Sequence, residues 1–390
     1  MRRLIGAAVV LMMATGSLWA QQMGPRDVLD RLFTAGADAV RYTEQFTSAL
    51  PAPQLQQVLD QISGQLGEYR EVRGDSNPYA VVFSGGTATT YIQLDNQGRL
   101  AGLRFTQLVP AAGDLDEAIS KLRDLPGETA VLVTRNGETL AQHNAGEALA
   151  VGSAFKLAVL AAVQDQVTAG DLAWDEVVTL QDEWRSLPTG ILQDWPTGAA
   201  VTIETLATLM ISQSDNTATD ALIDIVRRRT VEEYAPESRP FLTTREAFVL
   251  KDPDNADLKE EFLSASESAA RRVLRRTRDK ALPEAGLFAG DPISPEVEWF
   301  FSVRELCELM EQVADLDLTT VSPGVASKDQ WQRVSYKGGS EPGILNLSTR
   351  LVADDGTVYC ISATQNRSDG TLDQTAFVTA YQGIIGALGE

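Results

Sequence analysis

Ser153 and Lys156 stand three residues apart in Val151-Gly152-Ser153-Ala154-Phe155-Lys156-Leu157, at the head of an apolar run that continues through Val163. If this stretch is helical, that separation puts both side chains on one face, about a turn from each other. A hydroxyl nucleophile then has an amine within reach, which is what activating a serine without histidine requires. A helix N-terminus adds to this, because its free N–H groups favour an alkoxide or oxyanion. Serine-x-x-lysine recurs often by chance, so the pair gains meaning only from what accompanies it.

The other reactive residue types narrow the chemistry. His143 is the sole histidine. A Ser-His-Asp or Cys-His arrangement would have to use it, and a zinc site of several histidines is excluded. Its setting, Gln142-His143-Asn144, is polar and reads as surface. Cys307 and Cys360 lack metal-site spacing. They could form one disulfide, but their apolar settings favour buried free thiols. No metal and no cofactor is expected.

With 390 residues, 44% of them hydrophobic, the chain has room for two domains and a substantial core. A net charge of -21 argues against nucleic acid and against anionic membrane surfaces, which would both repel it. A small-molecule partner is expected. Residues 1–20 read as a signal peptide: Arg2 and Arg3 are the basic start, Leu4 to Met13 the apolar centre, and Ser17-Leu18-Trp19-Ala20 the cleavage site. The apolar run is short for a membrane span. The expected location is therefore periplasmic or secreted, with no membrane attachment after cleavage.

The elements that must position the serine follow from hydrophobic spacing. Residues 24–73 read as helices, the clearest carrying Leu55, Val58, Leu59, Ile62 and Leu66. Strands follow at Tyr79–Phe83, Ala88–Leu94 and Leu100–Phe105, separated by Gly85-Gly86 and Asp95–Gly98. Helices followed by an antiparallel sheet give a small N-terminal α+β domain over 24–108. After a boundary at Val109–Gly113, a short helix over 114–124 precedes a strand pair turning at Arg135-Asn136-Gly137, and the Ser153 helix comes next. Ser212-Gln213-Ser214-Asp215-Asn216-Thr217 lies between two apolar helices, where such residues ordinarily cap. Residues 230–298 read as a helical excursion, with segments over 245–251 and 258–278. A helix over 304–314, three strands around Lys337, Leu347 and Cys360, and a helix over 372–388 complete a domain over 114–390. Tyr336, beside Lys337, should point to the opposite face of its strand, into the core.

Three elements thus stand in order: Ser153-x-x-Lys156, Ser214-Asp215-Asn216 and Lys337-Gly338-Gly339. Together they resemble the Ser-x-x-Lys, Ser-Asp-Asn and Lys-Thr-Gly set of β-lactamases and penicillin-binding proteins, and specifically the class A β-lactamase-like branch. Thr202-Ile203-Glu204-Thr205-Leu206 before the second motif is similar as well. The resemblance covers 114–390 and implies an α/β (α+β) serine hydrolase domain, an antiparallel sheet with a helical block. The two-domain layout resembles the cephalosporin-esterase-like proteins of clavulanic acid gene clusters, in which a small steroid-isomerase-like (NTF2-like) domain precedes the β-lactamase-like one. Two departures matter. Gly338 stands where the family carries threonine, removing a hydroxyl that helps bind a substrate carboxylate. No Glu-x-x-Leu-Asn lies between Asn216 and Lys337, and Glu232, Glu246, Glu261, Glu284 and Glu298 do not carry that pattern. In class A enzymes that glutamate positions the deacylating water.

The resemblance implies a mechanism. Ser153 attacks a carbonyl. Lys156, its pKa lowered by burial and by the charge of Lys337, takes the serine proton. Ser214 relays that proton to the leaving group, and Lys337 holds Ser214 and the substrate's anionic end. Asn216 binds the substrate amide, with Gly338, Gly339 and Ser340 forming the binding strand. The N–H groups of Ser153 and Ser340 form the oxyanion hole, where one donor contributes roughly 3 kcal/mol. The expected substrate is a β-lactam or an ester. A peptidoglycan DD-peptidase and a β-lactam-binding protein that does not turn over are the alternatives.

Overall fold

The structure is a computed structural model that describes residues 23–110 and 113–389. The proposed signal peptide lies outside the described residues. The chain divides into two compact units, Met1–Val109 and Pro110–Glu390.

In the first unit, helices Pro25–Ala35, Glu44–Ala49 and Ala52–Leu66 precede a four-stranded sheet in sequential order, Tyr69–Arg73, Tyr79–Phe83, Gly86–Leu94 and Leu100–Pro110. Leu55, Leu59, Ile62 and Leu66 supply the buried stripe of the third helix, spaced as helical periodicity requires. The strand Tyr79–Phe83 buries alternate residues, with Tyr79, Val81 and Phe83 inside. One expectation is corrected here. Tyr69–Arg73 is a strand rather than the last part of a helical region. Gly67, at φ +83°, ends the helix before it. Val72 then pairs with Val81, so one buried side chain in a polar stretch suffices once a neighbouring strand is available.

The second unit is built on a five-stranded sheet whose strands come from both ends of its sequence. Their order is Arg333–Glu341, Ile344–Val352, Val358–Asn366, Glu128–Arg135 and Glu138–His143, every neighbouring pair antiparallel. Phe377, Tyr381, Ile384 and Ile385 of the helix Gln374–Leu388, with Ile119 and Leu122 of Leu115–Arg123, share a core with one sheet face. The helical block forms the larger core, and the helix Lys156–Ala169 runs through it. Every residue of that helix from Lys156 to Val163 is buried. A helix apolar all round can only be interior.

Two further departures concern the same unit. The helical segment read over 258–278 is two helices, Ala256–Ser264 and Glu267–Thr277, because Ala265 and Ser266 are extended. Cys307 and Cys360 are not free thiols: they form a disulfide. Cys307 lies on the helix Val303–Val313 and Cys360 on a central strand, so two apolar settings far apart in sequence are the two sides of one contact. His143 ends the edge strand Glu138–His143 and is half-exposed.

Candidate active site

The serine sits on a short 3-10 turn, Gly152–Phe155, that leads directly into the buried helix. Gly152 opens the turn at φ +48°, a left-handed conformation that costs glycine little. The edge strand Arg333–Glu341 passes against this turn. A side chain at Gly339 would place its Cβ 2.0 Å from Val151 O and 2.5 Å from Ser153 N. Glycine at 339 is therefore what allows the two backbones to meet, and a Cβ on Gly152 would come within 3.1 Å of Ser340 N. The amides assigned to an oxyanion hole, those of Ser153 and Ser340, belong to these two facing segments.

The second motif is held in a demanding backbone conformation. Ser214 has φ +56°, uncommon for a residue with a side chain. Three contacts keep it there. Lys156 Nζ donates to Ser214 O at 2.6 Å, Thr189 Oγ1 donates to the same carbonyl, and Asn216 N donates to Thr189 O at 3.2 Å. Asp215 is fully buried and answers three backbone donors: Ala218 N at 2.8 Å, which caps the helix Asn216–Val226, and Ile191 N and Leu192 N at 2.7 and 2.9 Å. One carboxylate thus caps a helix and fastens the 187–194 loop beside the cleft.

Around Ser214 the two lysines converge. Its Oγ lies 3.1 Å from Lys156 Nζ and 3.1 Å from Lys337 Nζ. Lys156 also donates to Asn216 Oδ1 at 2.7 Å, and Lys337 to Gly338 O at 2.5 Å. Both ammonium groups are buried, at 0% and 3% exposure. Burial pushes Lys337 down to about 7. Lys156 is driven well below the usual lysine range by burial first and by the charge of Lys337 second, with Asp220 and Asp215 opposing. A neutral amine at Lys156 is the form that can accept a proton.

Ser153 lines a cleft of about 210 Å³ together with Thr189, Asn216, Ser340 and Glu341. Its apolar walls include Phe248, Phe288 and Trp299, and Trp299 stacks on Phe155 at 3.9 Å. The geometry differs from the sequence reading in one respect. The hydrogen bonds of Lys156 Nζ go to Ser214 and Asn216 rather than to Ser153 Oγ. The amide of Asn216, which lines the cleft, orients the lysine: Oδ1 accepts from Lys156 and Nδ2 donates one hydrogen to Leu187 O at 2.9 Å.

The third motif leaves no room for the missing threonine. A Cβ at Gly338 would lie 2.2 Å from Tyr336 Oη, because residues 336 and 338 share a strand face and the phenol fills that space. Tyr336 is half-buried among the sheet residues, packed against Gly324, on the face opposite Lys337.

Four of the five glutamates named from sequence are held in ion pairs, and the fifth, Glu284, is exposed. Glu232 pairs with Arg271 at 2.5 Å, Glu246 with Arg228 at 2.6 Å, Glu261 with Arg276, and Glu298 with Lys251. Sequence reasoning passed over Glu341, which lines the cleft and pairs with the same Lys251. The available signal was strand alternation: positions 337, 339 and 341 share a face.

Fold and site together define a mixed sheet-and-helix unit with a serine at a helix N-terminus and two buried lysines around a second serine. The family model for the beta-lactamase enzyme family matches residues 114–276, a segment that includes Ser153, Lys156, Ser214 and Asn216 and ends before Lys337. The resemblance to β-lactamase-like serine hydrolases read from the motifs is thereby supported, and the second unit has the expected antiparallel sheet with a helical block. No curated protein matches the chain. Among solved structures, the β-lactamase of Sphaerobacter thermophilus DSM 20745 is 21% identical, over 70% of this chain and 95% of its own, with a TM-score of 0.49. PBP-A is 14% identical, over 72% and 97%, at 0.47. A class A β-lactamase representative from Bacteroides cellulosilyticus DSM 14838 is 19% identical, over 70% and 95%, at 0.46.

Proposed function

We propose that this chain is an exported serine hydrolase that forms an acyl-enzyme on Ser153 with a β-lactam or ester substrate. The observation that carries the reading is the buried hydrogen-bonded row Lys156–Ser214–Lys337 at the edge of a cleft lined by Ser153. Neutral Lys156 takes the Ser153 proton as Oγ attacks the carbonyl. Ser214, hydrogen-bonded to Lys156, passes that proton to the leaving group, and Lys337 orients Ser214 and attracts an anionic substituent. The backbone amides of Ser153 and Ser340 receive the developing oxyanion. Export is supported by the basic-then-apolar N-terminus and by a disulfide, which persists in oxidising compartments. Among the described residues no helix is long and apolar enough to cross a membrane.

The test is intact-mass spectrometry of wild type and Ser153→Ala with a cephalosporin, a penicillin and simple aryl esters. An acyl adduct or turnover that Ser153→Ala abolishes is expected, and turnover of esters alone selects the esterase. The missing Glu-x-x-Leu-Asn favours a second reading, a β-lactam-binding protein, for which the adduct persists without turnover. No adduct and no turnover with any of them defeats both.

A further inference from the structure

The strand that carries Lys337 also carries, four residues on and on the same face, Glu341. At about 3.4 Å per residue the two Cα atoms are roughly 14 Å apart, and Gly339 between them is the point where the Ser153 turn touches the strand. The nucleophile turn therefore sits in a gap flanked by two side chains. On one flank are Lys337, Ser214 and Lys156. On the other, Glu341 Oε2 accepts from Lys251 Nζ, and the same ammonium donates to Glu298 Oε1.

This second row is graded in exposure. The side chains of Glu298 and Lys251 are 0% and 1% exposed, and that of Glu341 is 20% exposed, where the row reaches the cleft. Among the described residues lining that cleft, Glu341 is the only carboxylate. Glu298 Oε2 is buried without a partner. Burial and the neighbouring Glu341 push Glu298 up, whereas the two carboxylates keep Lys251 charged. The row thus presents a fixed carboxylate to the cleft that Ser153 lines, on the opposite side of Gly339 from Lys337.

We infer that Glu341 is the general base of deacylation, positioned by Lys251 and Glu298; this rests on the acyl-enzyme reading above. A water in the cleft loses a proton to the Glu341 carboxylate as its oxygen bonds to the acyl carbon. When the C–Oγ bond breaks, Ser153 Oγ takes that proton from the Glu341 carboxylic acid. Serine and carboxylate are restored, and the carboxylic acid product ionises to solvent. Such a base contributes 10²–10⁴-fold.

The experiment is a quenched time course of full-length wild type and Glu341→Gln with a p-nitrophenyl ester, read by nitrophenol release and intact mass. Glu341→Gln is expected to release about one equivalent at the wild-type acylation rate. Its turnover then falls by about 100-fold or more, with the adduct persisting on Ser153. Glu341→Asp should recover part of the deacylation, and it decides the matter if the glutamine variant does not fold. Wild-type turnover in Glu341→Gln overturns the inference while leaving the hydrolase reading intact. So does an equal loss of burst and turnover in both variants, which marks a structural role. No adduct in any variant, with no turnover that Ser153→Ala abolishes, overturns both.

Discussion

Lys337 Nζ and Lys156 Nζ are bridged by a single hydroxyl, that of Ser214, at 3.1 Å from each. Two buried amines sharing one oxygen cannot both be charged at small cost, so the arrangement stores its reactivity as a protonation preference. What it does for catalysis it does against stability.

Replacing Lys337 by Met tests that trade. Both lysines titrate below their unfolded values, so the unfolded chain binds more protons. Stability therefore rises with pH, for Lys337 from about 7 towards its unfolded value of 10.5. Lys337→Met is expected to raise Tm by a few degrees near pH 6, with the gain shrinking as pH rises towards 10. Differential scanning calorimetry across that range checks it. Acylation should fall by about 10²-fold or more.

The same variant moves the pH dependence of the reaction. Without the Lys337 charge Lys156 holds its proton more tightly, and only its neutral form accepts the serine proton. The acid limb of kcat/KM should therefore shift to higher pH in Lys337→Met. An unshifted limb would separate the reactive base from Lys156.

Restoring the family threonine should fail. In Gly338→Thr the new Cβ meets Tyr336 Oη at 2.2 Å and Asn346 O at 3.0 Å. Overpacking of this kind costs about 1–3 kcal/mol, measurable as a lower denaturation midpoint. Tyr336→Phe/Gly338→Thr should recover part of the loss by removing the clashing oxygen.

Asp215→Ala deprives Ala218 N, Ile191 N and Leu192 N of their acceptor. The expected cost is roughly 3 kcal/mol. The 187–194 loop should also become protease-sensitive before the rest of the unit, as timed limited proteolysis would reveal.

Reducing the Cys307–Cys360 bond, which spans 53 residues, should lower stability by about 4 kcal/mol on the chain-entropy relation. Neither cysteine lines the Ser153 cleft. Esterase or lactam turnover at 20 °C should survive in Cys307→Ser/Cys360→Ser, with the loss confined to Tm.

What could be read beforehand was local. Ser153 and Lys156 are one turn apart in sequence, Asp215 caps the helix that follows it, and Lys337 lies in an alternating strand, so each motif announced its own element. What could not be read was where side chains from distant segments point. Lys156 engages Ser214 O and Asn216 Oδ1, contacts made across 58 and 60 residues, and no spacing rule encodes them. Cys307 and Cys360 each looked like an ordinary core residue until helix and strand were placed together. Tyr69–Arg73 lacked a stripe of its own because its partner strand supplies the apolar side. Glu341 was legible from alternation, but nothing in its neighbourhood foretold Lys251, which lies 90 positions earlier.

Ser153 stands three residues before a helix whose first eight residues, Lys156 to Val163, are all buried. Amide protons in such a segment are expected to exchange only when the whole unit opens. Ser153 is thereby denied any partially melted intermediate in which it could remain active. Heating should extinguish activity in step with deuterium uptake at 156–163, in a single sigmoid, whereas frayed outer helices can deuterate earlier without consequence.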